Sequence, residues 1–554
     1  MLLTGADIVI ECLKEQKVDT VFGYPGGNVI HIYDSLYKNK EYIKHILTAH
    51  EQGASHAADG YARSTGKVGV CIATSGPGAT NLVTGIATAY MDSVPMVIIT
   101  GNVPVSLLGK DSFQEVDIAG VTAPITKHNY IVKDISKLAS TIREAFYIAK
   151  EGRPGPVLID IPKDIAMGKT EYEKNEPKPI IRYSKNITEE ALTSAVELIN
   201  TSEKPFIYIG GGVVRSEASE ELLEFAEMID APVTSSLMGL GGLPSSHKLF
   251  TGMIGMHGTK ASNKGINKCD LLIAIGARFS DRVVSKVEKF APHAKVLHID
   301  IDPAEINKNV LSYHHIIGDI KEVLKRLNDK LSKMDRAEWV NKIIEYKNKY
   351  PLKYNDSGLK AQYIIEKLND LTDDNTIIAT EVGQHQMWTA QYYQFNKPKE
   401  FLTSGGLGTM GFGLGAAIGA QVGNPNKKVI NIAGDGCFKM NLIELATAVN
   451  YNLPIVIILI NNNALGMVRQ WQTLFFEKRY SETTLNHATN FVGLAEDFGM
   501  KGLEINNKDE VEDVLNQALN SNGPVLVHCK IHEDDKVFPM VAPGEAIDSL
   551  IMEE

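Results

Sequence analysis

Asn431-Ile432-Ala433-Gly434-Asp435-Gly436-Cys437 and Ile460-Asn461-Asn462-Asn463-Ala464 decide how this chain is read. Each stands at the end of a β-branched run, residues 429–432 for the first and 455–460 for the second. Continuous apolar runs of this kind read as strands buried on both faces of a parallel sheet. Residues 442–449 between them have the composition of a helix, so the unit reads strand, turn, helix, strand. Both loops then lie at carboxyl ends of strands, where open α/β sheets bind ligands. Gly434 and Gly436 let the backbone approach a ligand closely. Asp435 offers a carboxylate and Asn462 an amide oxygen, hard donors of the kind that hold Mg²⁺ together with phosphates. Taken singly, each loop reads equally well as an ordinary turn with a capping Asp or a turn Asn. Their occurrence in one strand-helix-strand unit is what points to a metal and a phosphate.

Working outward, 554 residues suggest three or four domains. A net charge of −11 without a long basic run argues against nucleic acid as a partner. The five cysteines, Cys12, Cys71, Cys269, Cys437 and Cys529, form no CxxC pair. That fits free thiols in a reducing, cytoplasmic setting and argues against zinc. No apolar run reaches the ~18 residues that span a membrane. The first residues lack a basic segment followed by a long apolar one, so no signal peptide is expected.

Residues 1–165 alternate helix and strand, with strands expected over 20–24, 68–74, 95–100 and 157–161 and a small-residue helix over 54–62. Charged, proline-containing residues 166–188 read as a linker. Strands over 205–209, 233–235, 271–275 and 296–301 mark a second unit, 189–330. Residues 331–359 have helical spacing and connect to a third unit, 360–535, which holds the opening motif. Residues 536–554 read as an irregular tail that could fold over a site. The fold class is therefore α/β, with three doubly wound parallel-sheet domains.

Glu51 is the sharpest single residue of the first unit. It follows a short strand and precedes a Gly/Ala-rich helix, where a carboxylate is favoured by the helix dipole. A capping or surface role fits it as well, but its neighbours 49–62 are mostly small or apolar.

Phe22-Gly23-Tyr24-Pro25-Gly26-Gly27, His50-Glu51-Gln52-Gly53-Ala54, Thr74-Ser75-Gly76-Pro77-Gly78 and Gly434-Asp435-Gly436 with Asn461-Asn462 resemble the thiamine-diphosphate (ThDP) carboligases and decarboxylases. Along nearly the whole chain the resemblance is to the catalytic subunits of the acetolactate synthase family. It implies pyrimidine-binding, central and diphosphate-binding domains. It also implies a homodimer, or a dimer of dimers, with each site between the first domain of one chain and the third of the other. The implied reaction is decarboxylation of pyruvate and its ligation to a second 2-oxo acid, with ThDP, Mg²⁺ and FAD bound and a small regulatory subunit as partner.

Carried over by motif, Glu51 would hydrogen-bond the aminopyrimidine N1′, and burial would strengthen that bond by raising its pKa. Pro25 and Gly27 lie in the matching glycine-rich loop. Gln384 and His385 would meet the diphosphate, Gly434 and Gly436 would lie against it, and Gly408 would touch the aminopyrimidine. Met410 would hold the cofactor bent, although core packing alone explains a Met there. Asp435, Asn462 and the Ala464 carbonyl would bind Mg²⁺. Phe113, Gln114, Lys163 and Met467 would face the substrates. Trp471 would favour 2-oxobutyrate as acceptor, or serve only as core. For FAD the matching residues are Arg153, Gly210, Gly211, Gly212, Met256, His257, Gly258, Gly276, Arg278, Arg282, Asp300 and Asp319. The alternative reading is a flavin-dependent pyruvate oxidase, distinguished by its product.

Overall fold

The β-branched runs form parallel strands, and most of these are buried along their full length because helices cover both faces. The computed structural model describes residues 1–181, 186–485 and 488–552. Three six-stranded sheets organise the chain, and neighbours in each run parallel.

The first sheet holds β1 (Thr20–Tyr24), β2 (Lys44–Leu47), β3 (Gly69–Ala73), β4 (Met96–Asn102), β5 (His128–Ile131) and β6 (Pro156–Pro162), in spatial order β2-β1-β3-β4-β6-β5. The central sheet holds β7 (Pro205–Ile209), β8 (Val233–Ser235), β9 (Phe250–Met253), β10 (Leu271–Ile275), β11 (Lys295–Asp300) and β12 (His314–Ile317), in order β9-β8-β7-β10-β11-β12. The third holds β13 (Thr376–Thr380), β14 (Phe401–Leu402), β15 (Lys428–Gly434), β16 (Ile455–Asn461), β17 (Lys501–Ile505) and β18 (Val525–Lys530), in order β14-β13-β15-β16-β18-β17. The first and third sheets therefore share one winding, while the central one has the doubly wound order of dinucleotide-binding folds.

The helices that carry the site are α1 (Glu51–Thr65), α2 (Val83–Met91), α3 (Gly211–Arg215), α4 (Gln384–Tyr392), α5 (Gly413–Gly423), α6 (Asp435–Asn441) and α7 (Gly466–Phe475). α1 follows the edge strand of the first sheet, and α5 follows the edge strand of the third. The two helices pack directly on each other and bring their domains together. Glycine makes this possible: a Cβ on Gly60 would lie 2.2 Å from Ala416 O, and one on Gly419 would lie 1.8 Å from Ala57 O.

Several expectations change in detail. No turn follows β15: Gly434 ends the strand and caps α6, so Asp435 is already helical. The helix expected over 442–449 is a 3₁₀ turn, Leu442–Glu444, followed by a short helix, Leu445–Asn450. The small-residue helix starts at Glu51, because His50 caps it, its ring Nδ1 accepting from Gln52 N–H at 3.1 Å. In the stretch read as a linker, Lys169–Glu171 pairs antiparallel with Leu2–Thr4, and residues 182–185 lie outside the described residues. The tail is not wholly irregular, since Met540–Val541 pairs with Leu550–Ile551. Its residues 553 and 554 lie outside the described residues. Among the described residues, no helix is long and apolar enough to cross a membrane.

Candidate active site

In each sheet the strand order reverses between two neighbours, and the loops leaving those strands flank a crevice. In the first sheet the pair is β1 and β3. β1 leads into Pro25-Gly26-Gly27 and β3 into Thr74-Ser75-Gly76-Pro77-Gly78. The loops are tied together: Asn28 N–H donates to Thr74 Oγ1 at 3.3 Å, and Asn28 Nδ2 to Ser75 Oγ at 2.6 Å. Glu51 stands beside them. Its Oε2 accepts from Asn81 Nδ2 at 3.0 Å, and its Oε1 lies 3.3 Å from where a Cβ on Gly78 would be. Gly27 faces open space. Gln114 lies over the same loop, its carbonyl oxygen 2.9 Å from a Cβ built on Gly76. The segment bearing Gln114 is fastened on itself by Glu115, whose carboxylate accepts from the N–H groups of Gly109, Lys110 and Ser112. Phe113 beside it is 87% exposed. Lys163 begins the short helix that follows β6.

In the third sheet the reversal is between β13 and β15. α4 begins at Gln384 after β13, and α6 begins at Asp435 after β15. His385 lies so close over the end of β15 that a Cβ on Gly434 would sit 2.8 Å from its Nδ1. Burial holds the His385 pKa down at about 3, so its ring is neutral near pH 7. Its Nε2 is buried without a partner. Gln384 ties this edge to the loop after β16: its Oε1 accepts from Asn462 Nδ2 at 3.2 Å, and its Nε2 donates to Gln470 Oε1 at 3.0 Å. Asn462 Oδ1 in turn accepts from Ala464 N–H at 3.2 Å. A Cβ on Gly466 would fall 2.0 Å from Gln384 Oε1 and 2.6 Å from Asn462 Nδ2, so a larger residue at the start of α7 would displace the Gln384 and Asn462 side chains. Asp435, Asn462 and Ala464 are all buried. Gly408 has φ +71° and Met410 is half-buried. Sequence reading brought Gln384, His385, Asp435 and Asn462 to one place, and the structure does group them.

Glu381, between β13 and α4, was missed. It is buried, its Oε1 accepts from Leu414 N–H at 3.1 Å, and its Oε2 has no partner. Burial raises its pKa to about 7. No sequence pattern marks it. Asn81, which orients Glu51, and Gln470, which locks Gln384, were missed as well. Gln470 lies between Met467 and Trp471, but its direction depends on the helix phase of α7.

Where the central and third domains meet, Arg282 lies 6.0 Å from the Trp471 ring centroid and 3.9 Å from Met256 Sδ. Trp471 packs edge-on against Phe475 at 5.4 Å, and Met467 is one turn earlier on α7. Arg282, expected among flavin contacts, thus shares a corner with the residues expected to face substrate.

The central sheet reverses between β7 and β10. A Cβ on Gly210 would meet Gly276 O at 2.1 Å, and one on Gly212 would meet Gly276 Cα at 2.7 Å. Close backbone packing therefore already requires these glycines. Gly211 starts α3. Gly258 is confined by Gly255 N at 2.6 Å. His257 is held near Pro539 O at 3.2 Å, and burial lowers its pKa to about 4. Burial raises Asp300, at the end of β11, to about 6. Asp319 caps a helix, accepting from Glu322 N–H at 3.2 Å. Arg153 is committed to Asp302 at 3.1 Å and Glu305 at 2.7 Å. The backbone carbonyl of Arg278 accepts from Asn309.

The donors at the third sheet fit a magnesium diphosphate: a buried carboxylate, a buried amide oxygen, and an unpartnered imidazole nitrogen at a helix start. Comparisons with known proteins support the thiamine diphosphate part of this fit. Models of the N-terminal thiamine pyrophosphate (TPP)-binding, central and C-terminal TPP-binding domains of thiamine pyrophosphate enzymes match residues 3–121, 192–327 and 381–529. The acetolactate synthase isozyme 2 large subunit of Escherichia coli (strain K12) is 46% identical over 554 residues, covering 99% of each chain. A probable acetolactate synthase large subunit of Methanocaldococcus jannaschii is 47% identical, covering 99% of this chain and 95% of its own. An acetolactate synthase of Mycobacterium bovis is 47% identical, covering 99% and 91%. With three consecutive domain models matched and such relatives aligned almost end to end, the chain belongs to the acetolactate synthase large-subunit family of thiamine pyrophosphate enzymes.

Proposed function

We propose that the chain condenses two 2-oxo acids, releasing CO₂ from pyruvate and forming 2-acetolactate or 2-aceto-2-hydroxybutyrate for branched-chain amino acid synthesis. One observation carries this. Glu51 with Asn81 stands over the reversal point of the first sheet, and Asp435, Asn462, Gln384 and His385 stand over that of the third. Those are the two ends that a pyrimidine linked to a diphosphate requires. When bound, ThDP would supply the electron sink for decarboxylation, and the two-carbon unit that joins the acceptor comes from pyruvate.

The chain's own residues bind and orient. Glu51 holds the pyrimidine N1′, and Asn81 fixes the direction of its carboxylate. Gln384 and His385 meet the diphosphate, with Gly434 and Gly436 against it. Asp435, Asn462 and the Ala464 carbonyl hold Mg²⁺, whose task is to anchor the diphosphate. Gly408 and Met410 support the ring from the third domain. Pro25 contacts the cofactor, Gly27, Phe113, Gln114 and Lys163 line the substrate side, and Met467 and Trp471 select the acceptor.

FAD fits the crevice over β7 and β10, where the Ser235 hydroxyl is buried without a partner at the end of β8. Gly211, Met256, His257, Arg278 and Asp300 are its nearest candidates. Two 2-oxo acids yield acetolactate and CO₂ without net oxidation, so the flavin takes no electrons in this reaction. We divide the chain at 1–165, 189–330 and 360–535, with connections 166–188 and 331–359 and the tail 536–554. Exposed Tyr24, Ile30, Leu47, Tyr90, Phe113, Leu407 and Met440, close in sequence to site residues, support a homodimer that covers them. A small regulatory subunit is the further partner, by analogy with relatives named large subunits.

The test is a pyruvate assay with ThDP, Mg²⁺ and FAD omitted in turn. Acetolactate made without an oxidant supports the reading. Acetate or acetyl phosphate with flavin reduction would replace it by a pyruvate oxidase.

A further inference from the structure

Glu444 is fully buried and has no part in the site described above. It ends the 3₁₀ turn Leu442–Glu444 of the third domain, yet its carboxylate reaches into the first. Oε2 accepts from Ala49 N–H at 3.1 Å, and Oε1 accepts from His50 N–H at 3.0 Å. Thr447 Oγ1 donates to Oε2 at 2.6 Å, holding the carboxylate from its own domain. Gly53 completes the seat, since a Cβ there would lie 2.0 Å from Oε1. Tyr451 Oη, further along the same segment, accepts from Leu47 N–H at 2.8 Å. The backbone from the end of β2 to the residue before Glu51 therefore hangs on third-domain side chains.

A mirror device faces the other way. Asp92, buried just after α2, accepts from Gly405 N–H at 3.1 Å and Gly406 N–H at 2.7 Å. Beside it Thr88 and Thr409 hydroxyls meet at 2.7 Å. That loop carries Gly408 and Met410. Each domain thus grips two successive amides in the cofactor loop of the other. Charge-assisted bonds of this kind are short and directional.

We propose that Glu444 is a positioning residue for Glu51, clamping the Ala49 and His50 amides so that the first turn of α1 aims the Glu51 carboxylate. The inference rests on the reading of Glu51 given above. A misaim of about 1 Å at a reacting group can cost roughly 100-fold in rate, which gives a clamp at this point its leverage. Glu444→Gln puts an amide N–H where an oxygen now meets a backbone N–H, and so releases one of the two amides.

Two measurements decide the matter. In the unliganded protein, hydrogen exchange at one of the Ala49 and His50 amides is expected to quicken about tenfold in the variant, as for one lost buried bond. With ThDP bound, C2–H exchange followed by NMR is expected to slow about tenfold, with ThDP affinity unchanged. Glu444→Asp keeps both oxygens and is expected to recover part of each effect. Unchanged amide exchange overturns the inference. So does unchanged C2–H exchange in Glu444→Gln when Glu51→Gln slows it. If Glu51→Gln itself leaves C2–H exchange untouched, the reading of Glu51 fails and the proposal falls with it, whatever the amides do. Should Glu444→Gln fail to fold, Thr447→Val frees the carboxylate while leaving it in place. The same two shifts, smaller, are then expected, and their absence overturns the proposal.

Discussion

Substituting Gly419 by Ala tests whether the contact of α1 with α5 is as tight as it looks. The added methyl would lie 1.8 Å from Ala57 O and 2.6 Å from Ala57 C, both backbone atoms. A carbon meets a carbonyl oxygen comfortably at about 3.3 Å, so the helices must part by roughly 1.5 Å along that line. No slack exists nearby: a Cβ on Gly60 already falls 2.2 Å from Ala416 O, and one on Gly415 falls 2.7 Å from His56 Cβ. Ala is the better helix former by about 1 kcal/mol. Overpacking a dense core costs about 1–3 kcal/mol or more, and a gap of ~1 Å forfeits up to half of each dispersion contact it opens. The steric cost therefore wins, with a net loss of about 2 kcal/mol. For a cooperative unit of this size that lowers Tm by about 4–8 °C. Because α1 begins at Glu51 and α5 starts three residues after Met410, activity should fall with stability, by tenfold or more for a shift of order 1 Å. Calorimetry and the acetolactate assay read both. A Gly419→Ala protein as stable and active as its parent would refute the packing argument.

Other expectations follow from single residues. Glu381 has a folded pKa of about 7 against an ordinary 4.5, so the folded state holds its proton more tightly and stability falls as pH rises between those values. The loss is about 3 kcal/mol at one pKa unit per 1.36 kcal/mol. Glu381→Gln should flatten that part of the pH–stability curve, and equal slopes in the two proteins would sink the assignment. Asp435→Asn removes the buried charge proposed for Mg²⁺, and the Mg²⁺ needed for half-maximal ThDP binding should rise about 100-fold, the equivalent of one charged contact of roughly 3 kcal/mol; an unchanged titration refutes it. Arg153→Ala leaves the Glu305 carboxylate, 3% exposed, without its closest partner. Discounted for the part-exposed arginine, a loss of about 2 kcal/mol and earlier proteolysis within 166–188 are expected, while loss of flavin at unchanged stability would show that Arg153 serves the cofactor instead.

The buried parallel strands were legible because their runs of Val, Ile and Leu leave no other economical arrangement. Two edge strands were not. His128–Ile131 and His314–Ile317 carry polar residues, as an element with one open side can, and nothing in their sequence sets them apart from loops. Helix starts were misjudged where a cap was unrecognised. His50 is an uncommon capping residue, so α1 was placed three residues late. Strand order was beyond reach altogether, because hydrophobic pattern says nothing of which way a crossover winds. That order is what turns scattered motifs into a site. It sets Pro25–Gly27 beside Thr74–Gly78, and Gln384 beside Asp435. Contacts such as Glu444 with His50, 394 residues apart, follow from it and leave no local trace.

Glycine shows most clearly why the motifs were right and yet underdetermined. In the sequence, Gly26-Gly27, Gly210-Gly211-Gly212 and Gly405-Gly406 look alike, each a cluster where backbone could approach a phosphate or a ring. The structure separates them by what a Cβ would meet. Gly210 and Gly212 are required by Gly276, just past the end of β10, and Gly60 and Gly419 by the facing helix, while Gly53 makes room for the Glu444 side chain. These positions would be glycine with no ligand at all. Gly27 faces open space, and Gly408 meets only Val382 Cγ1 at 4.0 Å. At Gly27 the fold of the single chain imposes neither a clash nor a positive φ, so glycine there answers to what approaches from outside it, a ligand or the partner subunit. At Gly408, in the loop held by Asp92, the φ of +71° already favours glycine. A glycine-rich motif therefore locates a place where backbones crowd, and only the identity of the crowding partner tells structure from function.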